Sequence, residues 1–165
     1  MKKSAFQIAG SFVCGMVVMM GLTVSLDSEV GAETKRLVKE FLNPTTMSFT
    51  NTVTASSGGI KTIYVSGQVG YEDSNIPEDA GEQADIAFRH IVEQLKDAGA
   101  TVEDVVKINV YIKDMNSADT GKISAAKNKY FTQENQPAST WVGVTSLLYP
   151  QFKVEIEVIA IIDTA

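Results

Sequence analysis

The sequence predicts an α+β fold, a mixed sheet with two helices on one face, and three observations lead there. Residues 153–162, KVEIEVIAII, alternate strictly, so Val154, Ile156, Val158, Ala160 and Ile162 share one face of a strand and Glu155, Glu157, Ile159 and Ile161 the other. Ala84, Phe88, Ile91, Leu95 and Ala98 recur at spacings of four and three, the single apolar stripe of a helix that packs on a sheet. The elements run strand, strand, strand, helix, strand, helix, strand, strand, an order that sets helices on one face of a mixed sheet.

Each element has a local reason. Residues 36–41 read as a short strand ended by Asn43-Pro44. A second strand, about 50–55, enters the hairpin turn Ser56-Ser57-Gly58-Gly59 and returns along 61–67. The polar loop 71–78, with Asn75 and Pro77, delivers the chain to a helix start at Asp79, and Gly99 stands where a C-terminal glycine cap belongs. Residues 105–112 are β-branched and alternating, the next strand. Asn116 or Ser117 caps a second helix running to about Thr132, with Ile123, Ala126, Lys127, Tyr130 and Phe131 toward its buried side. Pro137 opens a strand over 139–146, and Leu148-Tyr149-Pro150 turns into the last one. The face without helices is read as carrying Ile63, Val65, Val110 or its neighbours, Trp141 and Ile159. That is too much apolar surface for a monomer, so self-association is expected.

The 165 residues are 44% hydrophobic and 21% charged, the composition of one globular domain. Lys2 and Lys3 precede an uncharged run over residues 4–26, densest at 12–22. Two readings stand. Residues 1–32 are a secretory signal cleaved after Ala32, where Val30-Gly31-Ala32 suits a signal peptidase, or residues 4–26 are an uncleaved membrane anchor. Both leave the domain at 33–165 exported, periplasmic or extracellular, because the lysines stay on the inner side.

Cys14 is the only cysteine, so the mature domain has no disulfide, thiolate metal site or cysteine nucleophile. His90 is the only histidine, which excludes a multi-histidine metal centre and reads as a packing residue on the first helix. The net charge of -6 makes the chain a poor partner for nucleic acid.

A set of short motifs in order then carries a resemblance: Asn43-Pro44, Ile63-Tyr64-Val65-Ser66-Gly67-Gln68, a helix from Gln83 to Ala98-Gly99, Asp104-Val105-Val106-Lys107, Val110-Tyr111-Ile112-Lys113-Asp114, Tyr130-Phe131, Pro137-Ala138 and Val154-Glu155-Ile156-Glu157. Across residues 36–162 the chain resembles the Rid family, the YjgF-type reactive intermediate deaminases. The resemblance implies a chorismate-mutase-like fold and a homotrimer with a central barrel and clefts between subunits. It implies hydrolysis of 2-imino or enamine acids to keto acids and ammonia, with no metal or organic cofactor. Glu155 matches the family's acid and would face a cleft.

The departures matter as much. Where imine-hydrolysing members follow Pro-Ala with an arginine that grips the substrate carboxylate, this chain has Ser139, losing a charge-assisted pair of about 1.5–3 kcal/mol. Phe49 stands in place of a tyrosine and Ser124 in place of an asparagine, while Trp141 adds an aromatic plane. The pocket reads as less cationic and more aromatic than the family's. The expected site is Glu155 as proton carrier, with Gly67, Ser139, Trp141, Phe49 and Ser124 binding a small molecule. Glu157 reads as structural or solvated, and Arg89 and Lys129 as cations facing away from the cleft. Two functions follow. One is an exported hydrolase or deaminase for an enamine, imine or related small carbonyl compound, without the carboxylate clamp. The other is a non-catalytic small-molecule-binding or chaperone-like trimer of the same fold.

Overall fold

The computed structural model describes residues 36–165, so the signal or anchor reading of the first 32 residues lies outside the described residues. The chain enters the sheet along β1 (Val38–Pro44), antiparallel to β2 (Thr50–Ser57). β2 turns back through Gly58 and Gly59 into β3 (Ile60–Val69). Both glycines have positive φ, 65° and 82°, and such a pair supplies the turn whose twist matches that of the strands it joins.

Asp79 then caps α1 (Ala80–Asp97), accepting from the amides of Gly81 at 2.8 Å and Glu82 at 3.2 Å and pairing with Lys122 of the second helix. The stripe read from the sequence is the buried one: Ala84, Phe88, Ile91, Leu95 and Ala98 all lie in the core. Gly99, at φ 83°, lets the Ala100 amide bond back to Leu95 O at 2.8 Å and close the helix. We expect Asp79→Ala to cost about 1 kcal/mol in urea unfolding, nearly all of it from the cap. The Lys122 pair is largely in water and adds little.

β4 (Val105–Lys113) leads to α2 (Ser117–Lys127), which Asn116 caps by accepting from the Asp119 amide at 3.0 Å. α2 ends before Thr132 because Tyr130 and Phe131 turn inward onto Phe88, with ring centroids 5.1 and 6.1 Å away. Burying those rings outweighs another helical turn. β5 (Ala138–Val144) runs parallel to β4, and β6 (Val154–Asp163) lies antiparallel between β3 and β4. The six strands form one sheet in the order β1-β2-β3-β6-β4-β5. Among the described residues no helix is long and apolar enough to cross a membrane.

The two faces of the sheet correct one expectation. Ile63, Val65 and Val110 are buried beneath the helices, and Trp141 packs against that same core. What lies on the open face is Ile159 and the neighbours of Val110, namely Asn109 and Tyr111. A row of register partners crosses it: Phe41, Val53, Tyr64, Ile159 and Lys107. Four of the five are apolar or aromatic, and Phe41 is 64% exposed.

Register sets the first two, since Ile63 pairs with Ala160 and Val65 with Val158 on the buried side of β6, and two bulges set the faces beyond. Between Val65 and Gln68, β3 spends one residue more than β6, and between Val105 and Lys107, β4 does the same. An extra residue reverses which side chains point inward beyond it. Gln68 is therefore buried on the side of Val65, and Ile108, Val110 and Ile112 follow Val105 into the core.

Candidate functional site

The β3 bulge lies where the candidate acid is. Val69 pairs with Glu155, and the Glu155 carboxyl reaches back across Gly67. A Cβ built on Gly67 would fall 1.9 Å from Glu155 Oε1, so the missing side chain is the space that the carboxyl occupies. Glu155 and Gly67 form part of the lining of a cavity of about 900 Å³, with Phe49 and Tyr71 beside them.

Burial pushes the Glu155 carboxyl above the ordinary glutamate range, and the charge of Glu157 adds to the effect. Its neighbour is differently held. Glu157 Oε1 accepts from Asn109 Nδ2 at 2.7 Å and from the Tyr111 hydroxyl at 3.1 Å, a bonded position on the open face. Two neighbouring carboxyls thus sit in separate environments: Glu155 lines the cavity, and Glu157 is held by Asn109 and Tyr111.

A raised folded-state pKa means that the folded protein holds its proton to higher pH than the unfolded chain. The contribution of Glu155 to stability is then full below the unfolded glutamate pKa and is lost as pH rises through the folded one. We expect Glu155→Gln and the parent to melt together in acid, with the variant becoming the more stable as pH rises past the glutamate range. Paired thermal melts from pH 4 to 8 measure it, and a gap that closed with rising pH would overturn the assignment.

The remaining expected residues divide between two places. Phe49 and Gly67 line the cavity with Glu155. Ser139 and Trp141 do not: they pair with Ile108 and Val110 in register, and the Trp141 indole donates to Ser139 Oγ at 2.9 Å. Ser124 is half-buried on α2 and is likewise outside that lining. Within one chain, then, Glu155 and Ser139 do not share a cavity.

Several further residues line the cavity. His90 faces the cavity from α1, and Met47, Leu148 and Tyr149 lie at its mouth. A signal existed for the first: Gln83, Ala87, His90 and Gln94 form a second stripe at spacings of four, three and four, polar and adjacent to the apolar one. Each polar member has work. Gln83 is fully buried; it donates to Pro77 O at 2.6 Å and Gln151 O at 2.9 Å and accepts from the Lys153 amide at 2.8 Å. Gln94 accepts from Asn43 at 2.9 Å and Thr52 at 3.1 Å, tying the first hairpin to α1. Arg89 and Lys129, the cations read as facing away from the cleft, are engaged elsewhere, Arg89 with Glu72 at 2.6 Å and Asp85 at 3.3 Å, Lys129 with Asp85 at 2.9 Å. Among the described residues no cluster of His, Cys, Asp or Glu is arranged to hold a metal ion.

A six-stranded mixed sheet with two helices on one face and a carboxyl-floored cavity at its end defines a protein of the YjgF, chorismate-mutase-like fold. The family model described as Endoribonuclease L-PSP matches residues 44–162. The chain belongs to this family, that of the Rid or YjgF-type proteins. It is 38% identical over 104 residues to a 2-iminobutanoate/2-iminopropanoate deaminase of Rattus norvegicus, covering 61% of this chain and 73% of that one. A YjgF-family protein of Neisseria meningitidis superimposes with a TM-score of 0.65 at 23% identity, over 78% of this chain and 98% of that one, a likeness of fold. RidA of a Psychrobacter species matches with a TM-score of 0.62 at 28% identity, over 73% and 94%.

Proposed function

We propose that the chain is an exported Rid-type hydrolase that converts an imine or enamine to its carbonyl compound and ammonia without the usual carboxylate clamp. The observation that carries this reading is the Glu155 carboxyl, desolvated and lodged against Gly67 at the floor of the cavity. The deaminase activity named for the rat relative supports it. The net charge of -6 argues against an RNA substrate despite the family model's description.

The chemistry needs a carboxyl that carries protons both ways. Water adds to the C=N carbon of the protonated imine as the Glu155 carboxylate accepts its proton, giving a neutral carbinolamine. The carboxyl returns that proton to nitrogen; as the C–N bond breaks, the carbinol hydroxyl gives its own proton to the carboxylate and becomes C=O, and the departing ammonia takes that proton away as ammonium. A carboxyl whose pKa burial raises above the ordinary glutamate range suits both halves of the transfer, and a positioned general acid–base contributes about 10²–10⁴-fold to rate.

The assembly proposed with this reaction is a homotrimer. The row Phe41, Val53, Tyr64 and Ile159 supports it as an apolar surface in want of a cover. Association would also let Ser139 and Ser124 of one copy approach the cavity of another. A non-catalytic binding trimer remains the second reading, favoured by one observation: the Ser139 hydroxyl is already engaged by Trp141.

Ammonia release from freshly generated 2-iminobutyrate decides between them, measured on the protein and on Ser139→Arg and Glu155→Gln variants. The hydrolase reading expects weak release by the parent, a gain of about tenfold or more in Ser139→Arg as a charge-assisted pair is restored, and loss in Glu155→Gln. No release by either the parent or the arginine variant favours the binder. Sedimentation equilibrium tests the trimer, and cell fractionation tests export.

A further inference from the structure

The cavity also specifies what kind of molecule it takes. Its volume of about 900 Å³ is near the upper end of ordinary small-molecule pockets. Three separate segments send large apolar side chains to its mouth: Met47 and Phe49, then Tyr71, then Leu148 and Tyr149. All five are exposed, Leu148 to 67%. Single exposed apolar residues are ordinary, but five converging from three loops on one opening form a surface for an apolar ligand.

Charge narrows the class further. No lysine or arginine is among the lining residues; the ionisable groups there are Glu155, His90 and the two tyrosines. Arg89, one residue from His90, is held by Glu72 and Asp85. Within one copy, a substrate carboxylate entering the cavity would therefore meet a glutamate and no guanidinium. A protonated imine would place its positive charge against Glu155 instead, where low dielectric strengthens the attraction.

We propose that this cavity selects neutral or cationic imines of aromatic or long-chain aldehydes and ketones, and discriminates against imino acids. The turnover of such compounds rests on the hydrolase reading above; their binding does not. The imine nitrogen is directed to Glu155, and the hydrocarbon part lies against Tyr71, Leu148 and Tyr149.

Four probes test it by calorimetry at neutral pH: 2-phenylethylamine, phenylacetamide, phenylacetate and propionamide. The expected result is that the amine and phenylacetamide bind at least tenfold more tightly than phenylacetate, and that phenylacetamide exceeds propionamide by a similar factor. Leu148→Ser and Met47→Ser, both at the exposed mouth, weaken the aromatic probes severalfold without lowering the melting temperature. Equal affinity for phenylacetate, equal affinity for propionamide, or no binding of either aromatic probe overturns the proposal. A parallel arm follows ammonia from the imine that an amine oxidase makes from 2-phenylethylamine. Selective binding without ammonia release upholds the selectivity and defeats the hydrolase; release from 2-iminobutyrate with no aromatic preference does the reverse.

Discussion

Gly67→Ala is expected to lower ammonia release at least a hundredfold while the protein stays folded. The new methyl lands 1.9 Å from Glu155 Oε1 and 2.7 Å from its Cδ, inside the carboxyl itself. The obstacle is the end of a movable side chain, not backbone, so the sheet survives and the carboxyl swings away. What is lost is position, and a proton carrier moved by about an ångström loses on the order of 100-fold in rate. The loss falls on kcat more than on KM, since apolar walls such as Phe49 and Tyr71 are untouched. Two further measurements separate this from general damage. NMR titration of Glu155 should show its pKa return toward the ordinary range once the side chain is expelled into solvent. Adding Glu155→Gln to Gly67→Ala should lower the rate little further, because the carboxyl has already left its place. An active Gly67→Ala protein with an unshifted Glu155 would remove that carboxyl from the chemistry.

The largest effect on stability is expected from Gln83→Leu. Leucine keeps most of the volume but leaves Pro77 O, Gln151 O and the Lys153 amide without the amide group that satisfies all three. Each buried backbone group so stranded costs about 1–3 kcal/mol, offset where loosened loops admit water, so a net loss of about 3 kcal/mol is expected. For a domain of this size that lowers the melting temperature by about 10 °C. Gln83→Glu separates bonding from packing: it retains the acceptor and loses the donor, and its deficit should shrink as pH falls and its carboxyl regains a proton. Gly70 adds a steric clause, since a Cβ there would come within 2.4 Å of Gln83 Cα, a backbone atom that cannot step aside. Gly70→Ala should therefore destabilise through the same junction.

The parts of this fold that follow local rules could be read from the chain. Asp79, Gly99 and Asn116 mark helix ends by their own chemistry, Gly58-Gly59 marks a turn, and the apolar stripe of α1 fixes its buried face. The β6 alternation named both the buried set and the face that carries Glu155. Non-local features could not be read in this way. Nothing in Val65-Ser66-Gly67-Gln68 announces a bulge against β6, and the face of Ile63 and Val65 depends on their pairing with Ala160 and Val158, which no local rule supplies. At the site the same contrast holds. Glu155, Gly67 and Phe49 come together in the cavity, whereas the separation of Ser139 from Glu155 depends on strand order and sheet curvature. The role of His90 was obscured differently, because a lone histidine beside an apolar stripe is usually packing and only its company with Gln83 and Gln94 distinguishes it.

The unpaired residue in β3 makes the protein intolerant of one kind of genetic change. Loss of a single codon at 66 or 67 would do more than shorten a strand. Everything downstream in that strand would rotate by half a turn, sending Gln68 to solvent and driving Val69 toward the helices, while erasing the gap that shelters the acid. Variation in this segment should therefore proceed by substitution and never by deletion, and reading-frame-preserving deletion libraries should be empty there even under selection for folding alone.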